Sequence, residues 1–255
     1  MKVYEAPAKV NIFLKITGLR GAYHELYSRF IRHQELCDFL WFDQGSGQSF
    51  QIEGVPCDRS ENTVFKAYKA LLEHYPRKEI VEYCKEHKLV IQKKIPIGAG
   101  LGGGSSDAAT FLLMLNEAMN LNIAKEELAA IGGEAGADIP FFVMGYKSAN
   151  VTGIGEIVER FDENPPKLEL FTPPIHCNTG DVYRTFRRYF QHRIDKALAE
   201  RLASLTSEEI LATFDAMVLN DLLPAALKCY PELYAYHQPG WFFSGSGSTF
   251  FRIAL

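Results

Sequence analysis

Five of the eleven residues from Ile95 to Ser105 are glycine, and a second serine, an aspartate and a run of apolar side chains follow at once: IPIGAGLGGGSSDAATFLLML. Glycine lets the backbone approach a ligand closely and adopt positive φ, so that successive N–H groups can converge on an anion. Ser105 and Ser106 stand where the next helix begins, and the free N–H groups and dipole of a helix start favour negative charge. Strand, glycine loop and helix start, in that order, make a phosphate cradle. Its candidate residues are Pro96, Gly98, Ala99, Gly100, Leu101, Gly102, Gly103, Gly104, Ser105 and Ser106. The serine hydroxyls add donors or reach a phosphate-bound Mg2+. The alternative is a flexible surface turn, which is seldom this glycine-dense beside a strongly patterned helix.

Two familiar phosphate loops do not fit. No Gly-Lys-Ser/Thr occurs, so this is not a Walker loop. Gly98, Gly100 and Gly103 match G-x-G-x-x-G, but the acidic residue that a dinucleotide site needs about 20 residues on falls at Glu117, still inside the helix. Outside the loop, Asp138 precedes Ile139-Pro140, where it serves either as a turn aspartate or as a general base. Lys9 and Asn11 share one face of an alternating strand. That outward position is also what any solvent-facing lysine would show.

The elements that must hold these groups are legible in outline. VYEA and KVNIFLKI read as half-buried strands, a turn follows at Leu19-Arg20-Gly21, and LYSRFI and DFLWFD read as further strands before the QGSGQ turn and SFQIEG. Asn62 opens a helical pattern of Val64, Ala67, Tyr68, Leu71, Leu72 and Tyr75 that Pro76 ends. A short helix near Glu79–His87 leads to the strand KLVIQKKI and the glycine loop. A helix over about Ser105–Asn120 and another over about Ala124–Gly132 follow, then β-structure in PFFVMG and SANVTGIGEIVERF. Asp107 is expected as a first-turn acid that suits the helix dipole, not as a catalytic group. After Pro165 come the strand KLELFT, helices in DVYRTFRRYF, ALAERLAS, SEEILATFDAM and LLPAALKCYPELYAY, and a strand–loop–strand in WFFSGSGSTFFRIAL. Thr206 and Glu209 form a capping box before the third of those helices. The pattern is α+β, with a boundary near Asn164-Pro165-Pro166.

Composition narrows the function. The 255 residues are 47% hydrophobic and 23% charged, ordinary for a globular chain with a sizeable core. No apolar run reaches the ~18 residues that would span a bilayer. Glu5, Lys9 and Asn11 interrupt the N-terminal apolar stretch, unlike a signal peptide, so a cytoplasmic protein without membrane contact is expected. Five cysteines outside any C-x-x-C read as reduced thiols, and the dispersed cysteines and histidines give no protein-built metal centre. A net charge of −4 argues against nucleic acid as a partner.

Pro96–Ala109, read as P-x-G-x-G-L-G-G-G-S-S-D-A-A, resembles the phosphate-binding motif of the GHMP kinases, the family of galactokinase, homoserine kinase, mevalonate kinase and phosphomevalonate kinase. APAKVNIFL (Ala6–Leu14) is similar to the family's first motif and SGSGSTFF (Ser244–Phe251) to its third, in family order over nearly the whole chain. The doubled serine, GADIPFF (Gly136–Phe142), AYHEL (Ala22–Leu26) and NDLLPAALKCYPEL (Asn220–Leu233) are similar to a narrower branch. Its members phosphorylate, with ATP, the 2-hydroxyl of a cytidine diphosphate-linked methylerythritol on the methylerythritol phosphate route to isoprenoids.

The resemblance implies a two-domain GHMP kinase fold: residues 1–164 with a left-handed β-α-β crossover that binds ATP, residues 165–255 ferredoxin-like, and the active site in the cleft between them. It implies Asp138 as the group that accepts or orients the proton of the attacking hydroxyl, and Lys9 as the ammonium that stabilises it and the transferred phosphoryl group. Asn11 contacts substrate, Tyr23 and His24 hold the cytosine, and Tyr183 lies on the far side of the base; Thr179 offers a hydroxyl to the diphosphate or sugar. Pro96 to Ser106 wrap the ATP phosphates, with Lys93 and Asn62 near the adenine. ATP and Mg2+ are the implied cofactors, and a monomer or weak homodimer the implied assembly. Ser244–Thr249 either approaches the substrate or is a plain hairpin turn. The chain departs from the pattern at Gly21-Ala22, where the family commonly has Asp-Gly before Tyr-His, and at Thr152-Gly153, where many members have Glu-Gly. Competing readings are another GHMP kinase, a nucleic-acid-binding protein sharing the crossover fold, and a dinucleotide-dependent oxidoreductase.

Overall fold

The computed structural model describes residues 2–254. Two long strands carry much of the chain's first 44 residues: β1 (Tyr4–Arg20) and β2 (Tyr23–Gln44), which pair with each other. Gly21 makes the turn between them at φ +60°, a conformation that costs glycine least. The pairs of shorter strands expected in this region are thus each one continuous strand. The chain divides into two compact units, and the division falls within both strands. One unit comprises the residues up to Ala8, Gln34–Ile95 and Gly102–Gly145; the other comprises Lys9–His33, Pro96–Leu101 and the chain from Tyr146 onward.

In the first unit, Phe39–Gln44 of β2 pair antiparallel with β4 (His87–Gln92), and β3 (Ile52–Glu53) runs parallel along the other side of β4. Five helices complete the unit: α1 (Thr63–His74), α2 (Lys78–Glu86), α3 (Gly103–Ala118), α4 (Lys125–Ala135) and α5 (Ile139–Met144). The middle of α3 is apolar on nearly every side and packs against α1, α4 and α5. Its Phe111, fully buried, stacks on Phe50 with ring centroids 5.2 Å apart and meets Phe42 and Tyr68 edge-on. Burying a ring of that size contributes about 2–3 kcal/mol.

One element differs in type from the sequence pattern. PFFVMG is the body of α5, not a strand. Ile139 through Val143 are all buried, so the run lacks the polar alternation that separates a short helix from a short strand. Pro140 is tolerated in a first helical turn because its missing N–H would have no partner there. Gly145, at φ +78°, ends the helix as a left-handed cap. Asp138 therefore stands at a helix start rather than before a strand, and its side chain makes no capping bond there. The helix after the glycine loop also begins earlier than the serines suggest, at Gly103, so Asp107 lies beyond its first turn.

In the second unit, Ser28–Ile31 of β2 pair antiparallel with β5 (Ser148–Thr152), which pairs with β6 (Ile157–Arg160). A separate sheet has the order β7 (Leu168–Phe171), β9 (Phe250–Ile253), β8 (Phe242–Phe243), all antiparallel. The helices α6 (Thr179–Tyr189), α7 (Lys196–Ser204), α8 (Ser207–Thr213), α9 (Ala216–Leu219) and α10 (Leu223–Cys229) lie between β7 and β8 in sequence. Thr206 and Glu209 make the expected capping box at α8. No helix among the described residues is long and apolar enough to cross a membrane.

Candidate active site

Within the second unit, three sequence motifs meet at Gly100. The carbonyl of Gly100 accepts hydrogen bonds from Lys9 Nζ (3.2 Å) and Ser244 Oγ (3.1 Å). Lys9 Nζ also donates to Asn11 Oδ1 at 2.5 Å and lies 4.6 Å from the centre of the Phe30 ring. Asn11 donates from its backbone to Ser244 Oγ (3.2 Å) and from its amide to Ser28 Oγ (2.9 Å). Strand alternation places Lys9 and Asn11 on one face, as the sequence indicates, but that face is buried: Lys9 is 4% exposed. Lys9 is thus no solvent-facing lysine.

The close approach explains two glycines. Gly98 and Gly100 adopt φ +67° and +74°. A Cβ on Gly100 would lie 2.2 Å from the Ser244 carbonyl oxygen, and one on Gly98 would lie 2.2 Å from the His176 ring. Thr249 N donates to Ala99 O (3.2 Å), and Asn220 Nδ2 holds the Phe243 and Gly245 carbonyls at 2.8 and 2.9 Å. Ser244–Thr249 is therefore a buried loop braced on the glycine segment, not a plain hairpin turn.

The same unit gathers the aromatic candidates. The His24 ring lies 5.1 Å from that of Tyr183 and 6.0 Å from that of Phe186, both on α6. Burial, reinforced by the positive charge of Arg187, lowers the His24 pKa, so the ring is held neutral. Its Nε2 is buried and has no hydrogen-bond partner among the described residues. A neutral imidazole with one free nitrogen suits the edge of an uncharged base. Tyr23, beside it on β2, is 64% exposed. Thr179 begins α6 one turn before Tyr183, and its hydroxyl lies 2.8 Å from Ser246 Oγ.

The first unit holds the start of α3. Gly102, at φ +71°, precedes the helix. Ser106 Oγ is buried without a hydrogen-bond partner among the described residues. Asn62 caps α1, accepting from Val64 N (2.9 Å) and Phe65 N (3.3 Å). Its neighbour Thr63 lies against the start of α3 and the Asp138 turn at once: a Cβ on Gly104 would be 3.4 Å from Thr63 Oγ1, and one on Gly136 3.5 Å from Thr63 Cγ2. The structure thus brings Asn62, Gly104 and the Gly136–Asp138 segment into one neighbourhood.

Lys93 ends in a bridge between two carboxylates. Its Nζ donates to Asp38 Oδ2 and, at 2.7 Å, to Asp107 Oδ2. Asp107 is 2% exposed and ion-paired, which corrects its reading as a first-turn helix acid. Burial pushes its carboxyl up to about 7 despite the attraction of Lys93, and the like charge of Asp38 adds to the rise. Burial works against the Lys93 ammonium, but Asp107 and Asp38 together raise its pKa. Sequence reasoning missed Asp38 altogether. The available signal was a charged residue in the middle of an apolar strand, LCDFLWF.

A family model described as the GHMP kinases N terminal domain matches residues 62–146. The chain is 46% identical, over 99% of its length and 97% of the relative's, to a 4-diphosphocytidyl-2-C-methyl-D-erythritol kinase of Sulfurimonas denitrificans. It is 49% identical, over 97% of both chains, to the enzyme of the same name from Sulfurovum. Among solved structures, a 4-(cytidine 5'-diphospho)-2C-methyl-D-erythritol kinase superposes with a TM-score of 0.72 at 31% identity, over 99% of this chain and 90% of that one. The mevalonate kinase of Methanococcus jannaschii, at 14% identity and a TM-score of 0.61 over 100% of this chain and 90% of that one, shares the fold.

Proposed function

The chain belongs to the 4-diphosphocytidyl-2-C-methyl-D-erythritol kinase family of GHMP kinases, and from that membership we propose that it transfers the γ-phosphoryl group of ATP to the 2-hydroxyl of 4-diphosphocytidyl-2-C-methyl-D-erythritol, a step towards isoprenoid precursors. The observation that supports this most directly is the meeting of Lys9, Asn11, Gly100 and Ser244, one or more residues from each of the three family motifs. Residues 1–164 serve as the ATP-binding domain and 165–255 as the ferredoxin-like domain.

Phosphoryl transfer asks a protein for positioning and charge stabilisation. Gly98 to Ser106 offer backbone N–H groups to the triphosphate, the first segment through left-handed glycines and the last through the start of α3. Asp138 takes or orients the proton of the attacking hydroxyl, and Lys9 stabilises the negative charge that develops. Asn11 and Thr179 hold the acceptor, with Tyr23, His24 and Tyr183 on its cytosine. Lys93 and Asn62 lie on the adenine side.

No cluster of three or more acidic, histidine or cysteine side chains suited to a metal occurs among the described residues. That suits Mg2+, which is commonly held by substrate phosphates and one or two protein oxygens. Ser106 Oγ, buried and without a hydrogen-bond partner among the described residues, fits such a ligand, and Ser105 adjoins it. When bound, the ion neutralises phosphate charge.

The test is ADP release across candidate alcohols, with the cytidine-diphosphate acceptor expected to turn over far faster than mevalonate or homoserine. Tyr23→Ala should then raise KM for that acceptor about tenfold or more, the worth of one stacked base, and leave KM for ATP nearly unchanged. Equal loss for both substrates would remove the assignment.

A further inference from the structure

Asp38 belongs to none of the three motifs, yet it is fully buried and makes three polar contacts. Oδ1 accepts from the backbone N–H groups of Lys94 (2.5 Å) and Ile95 (2.8 Å), and Oδ2 accepts from Lys93 Nζ. These are the last residues before the glycine loop. The Lys93 ammonium then continues to Asp107 Oδ2, 2.7 Å away on α3, just past the loop. Gly103 completes the junction, because a Cβ there would lie 3.0 Å from Ile95 Cγ2 and 3.2 Å from Lys93 Nζ. The two ends of the loop thus lie against each other, and the missing side chain at residue 103 leaves room for that approach.

We infer that Asp38 is a positioning residue that, through Lys93 and Asp107, clamps both ends of the glycine loop in the form that accepts nucleotide phosphates. The inference rests on the kinase reading for the identity of the ligand. Its physical basis is entropy. A segment with five glycines among eleven residues has more backbone freedom to lose on ordering than an ordinary loop of the same length. A ligand that must order such a loop binds more weakly, in proportion to how seldom the competent form is populated. Fixing residues 93–95 to β2 and to α3 pins the loop's ends and narrows that freedom before the nucleotide arrives. Asp38 touches neither reacting group nor acceptor, so its effect should fall on one substrate alone.

The test is calorimetric titration with a non-hydrolysable ATP analogue and Mg2+, without acceptor, alongside separate KM values for ATP and for the cytidine-diphosphate acceptor. Asp38→Asn should weaken the analogue and raise KM for ATP about tenfold or more, with KM for the acceptor within about twofold. Lys93→Met should move the same parameters, and the double variant should lose less than the product of the two, because they break one linkage. Unchanged analogue affinity in a folded Asp38→Asn, or equal rises in both KM values, would overturn the inference. If Asp38→Asn does not fold, Asp107→Ala decides the question: it leaves the Asp38 bonds in place and, with no acceptor left at residue 107, cuts only the link to α3. A severalfold loss confined to nucleotide supports the clamp, and none overturns it. Because the titration needs no acceptor, a wild type that binds the analogue but fails to phosphorylate the cytidine-bearing alcohol would sink the substrate reading while the clamp is still decided. A wild type that binds no analogue would sink both.

Discussion

Lys15 and Lys93 are both lysines held inside the protein by aspartate, and their surroundings differ in completeness. Lys15 donates to Asp221 Oδ1 and, at 2.9 Å, to Val218 O, while Asp221 Oδ2 accepts from Ile16 N at 2.8 Å. One positive charge meets one negative charge, and both carboxylate oxygens have a donor. Lys93 faces two carboxylates, and Asp107 Oδ1 beside it is buried with no partner among the described residues. Burial raises the pKa of Asp221 as well, but Lys15, Ile16 N and Arg193 all pull against it. A completed pair behaves as scaffold. A buried polar atom left without a donor is rare and costly, and it persists where something other than stability is served. On the clamp proposed above, the difference is between charge that holds the fold and charge that serves the nucleotide site.

The largest expected effect sets Lys15 against Lys9, its neighbour on β1. Lys9→Ala, like Asp138→Ala, should lower kcat about a thousandfold or more while the fold persists. Lys15→Met should do the reverse. It strands a buried carboxylate, so it should cost about 3–5 kcal/mol of stability, measured by urea unfolding, and leave kcat of the folded enzyme within about twofold. Replacing both partners, as Lys15→Met with Asp221→Leu, should recover most of that loss, because no lone charge is left inside. If Lys15→Met abolished turnover in a folded protein, the division between scaffold and site would fail.

A smaller effect tests the charge imbalance around Lys93. The Asp107 carboxyl titrates at about 7 in the folded chain, against 3.8 when unstructured. The fold thus prefers the protonated form. The stability this represents is fully present below 3.8 and is lost as pH rises towards about 7. Between pH 5 and pH 8 the wild type should lose about 2.5 kcal/mol from this group. Asp107→Asn, which keeps an acceptor oxygen for Lys93 and cannot ionise, should lose that much less over the same interval. The groups facing Asp107 are Lys93 and, through it, Asp38, so Lys93→Met should move the transition upward. An identical pH response in wild type and Asp107→Asn would mean the carboxylate is ionised throughout, and the Lys93 cluster would then be as closed as Lys15–Asp221.

How far such distinctions can be read from sequence depends on the range of the interaction. The glycine loop was legible because five glycines and two serines are a local signal, and the capping box at Thr206–Glu209 and the helix opened by Asn62 are local too. The face shared by Lys9 and Asn11 follows from alternation, but not that this face is buried, since alternation fixes which residues agree and not which way they point. PFFVMG was misread because six apolar residues fit either period. Asp38 and Lys93 lie 55 residues apart. Only the pairing of β2 with β4, which sets Phe39 opposite Gln92, brings them together. The family resemblance supplied roles for Lys93 and the motif residues and none for Asp38, which lies between motifs.

The smallest expected effect lies at Gly103, where the Lys93 cluster meets the loop. A Cβ there would sit 3.0 Å from Ile95 Cγ2, 3.2 Å from Ile95 Cβ and 3.2 Å from Lys93 Nζ, and of these the lysine end gives by a few tenths of an ångström more readily than the stiff, branched isoleucine. The position is the first residue of α3, where alanine is a better helix former than glycine by up to about 1 kcal/mol. Crowding and propensity therefore oppose each other, and Gly103→Ala should change stability by less than about 1 kcal/mol in either direction. Affinity for nucleotide should still fall severalfold, because the atom that moves is the ammonium linking Asp38 to Asp107. An open, ligand-serving cluster predicts that split between stability and binding; a purely structural one predicts that the two change together.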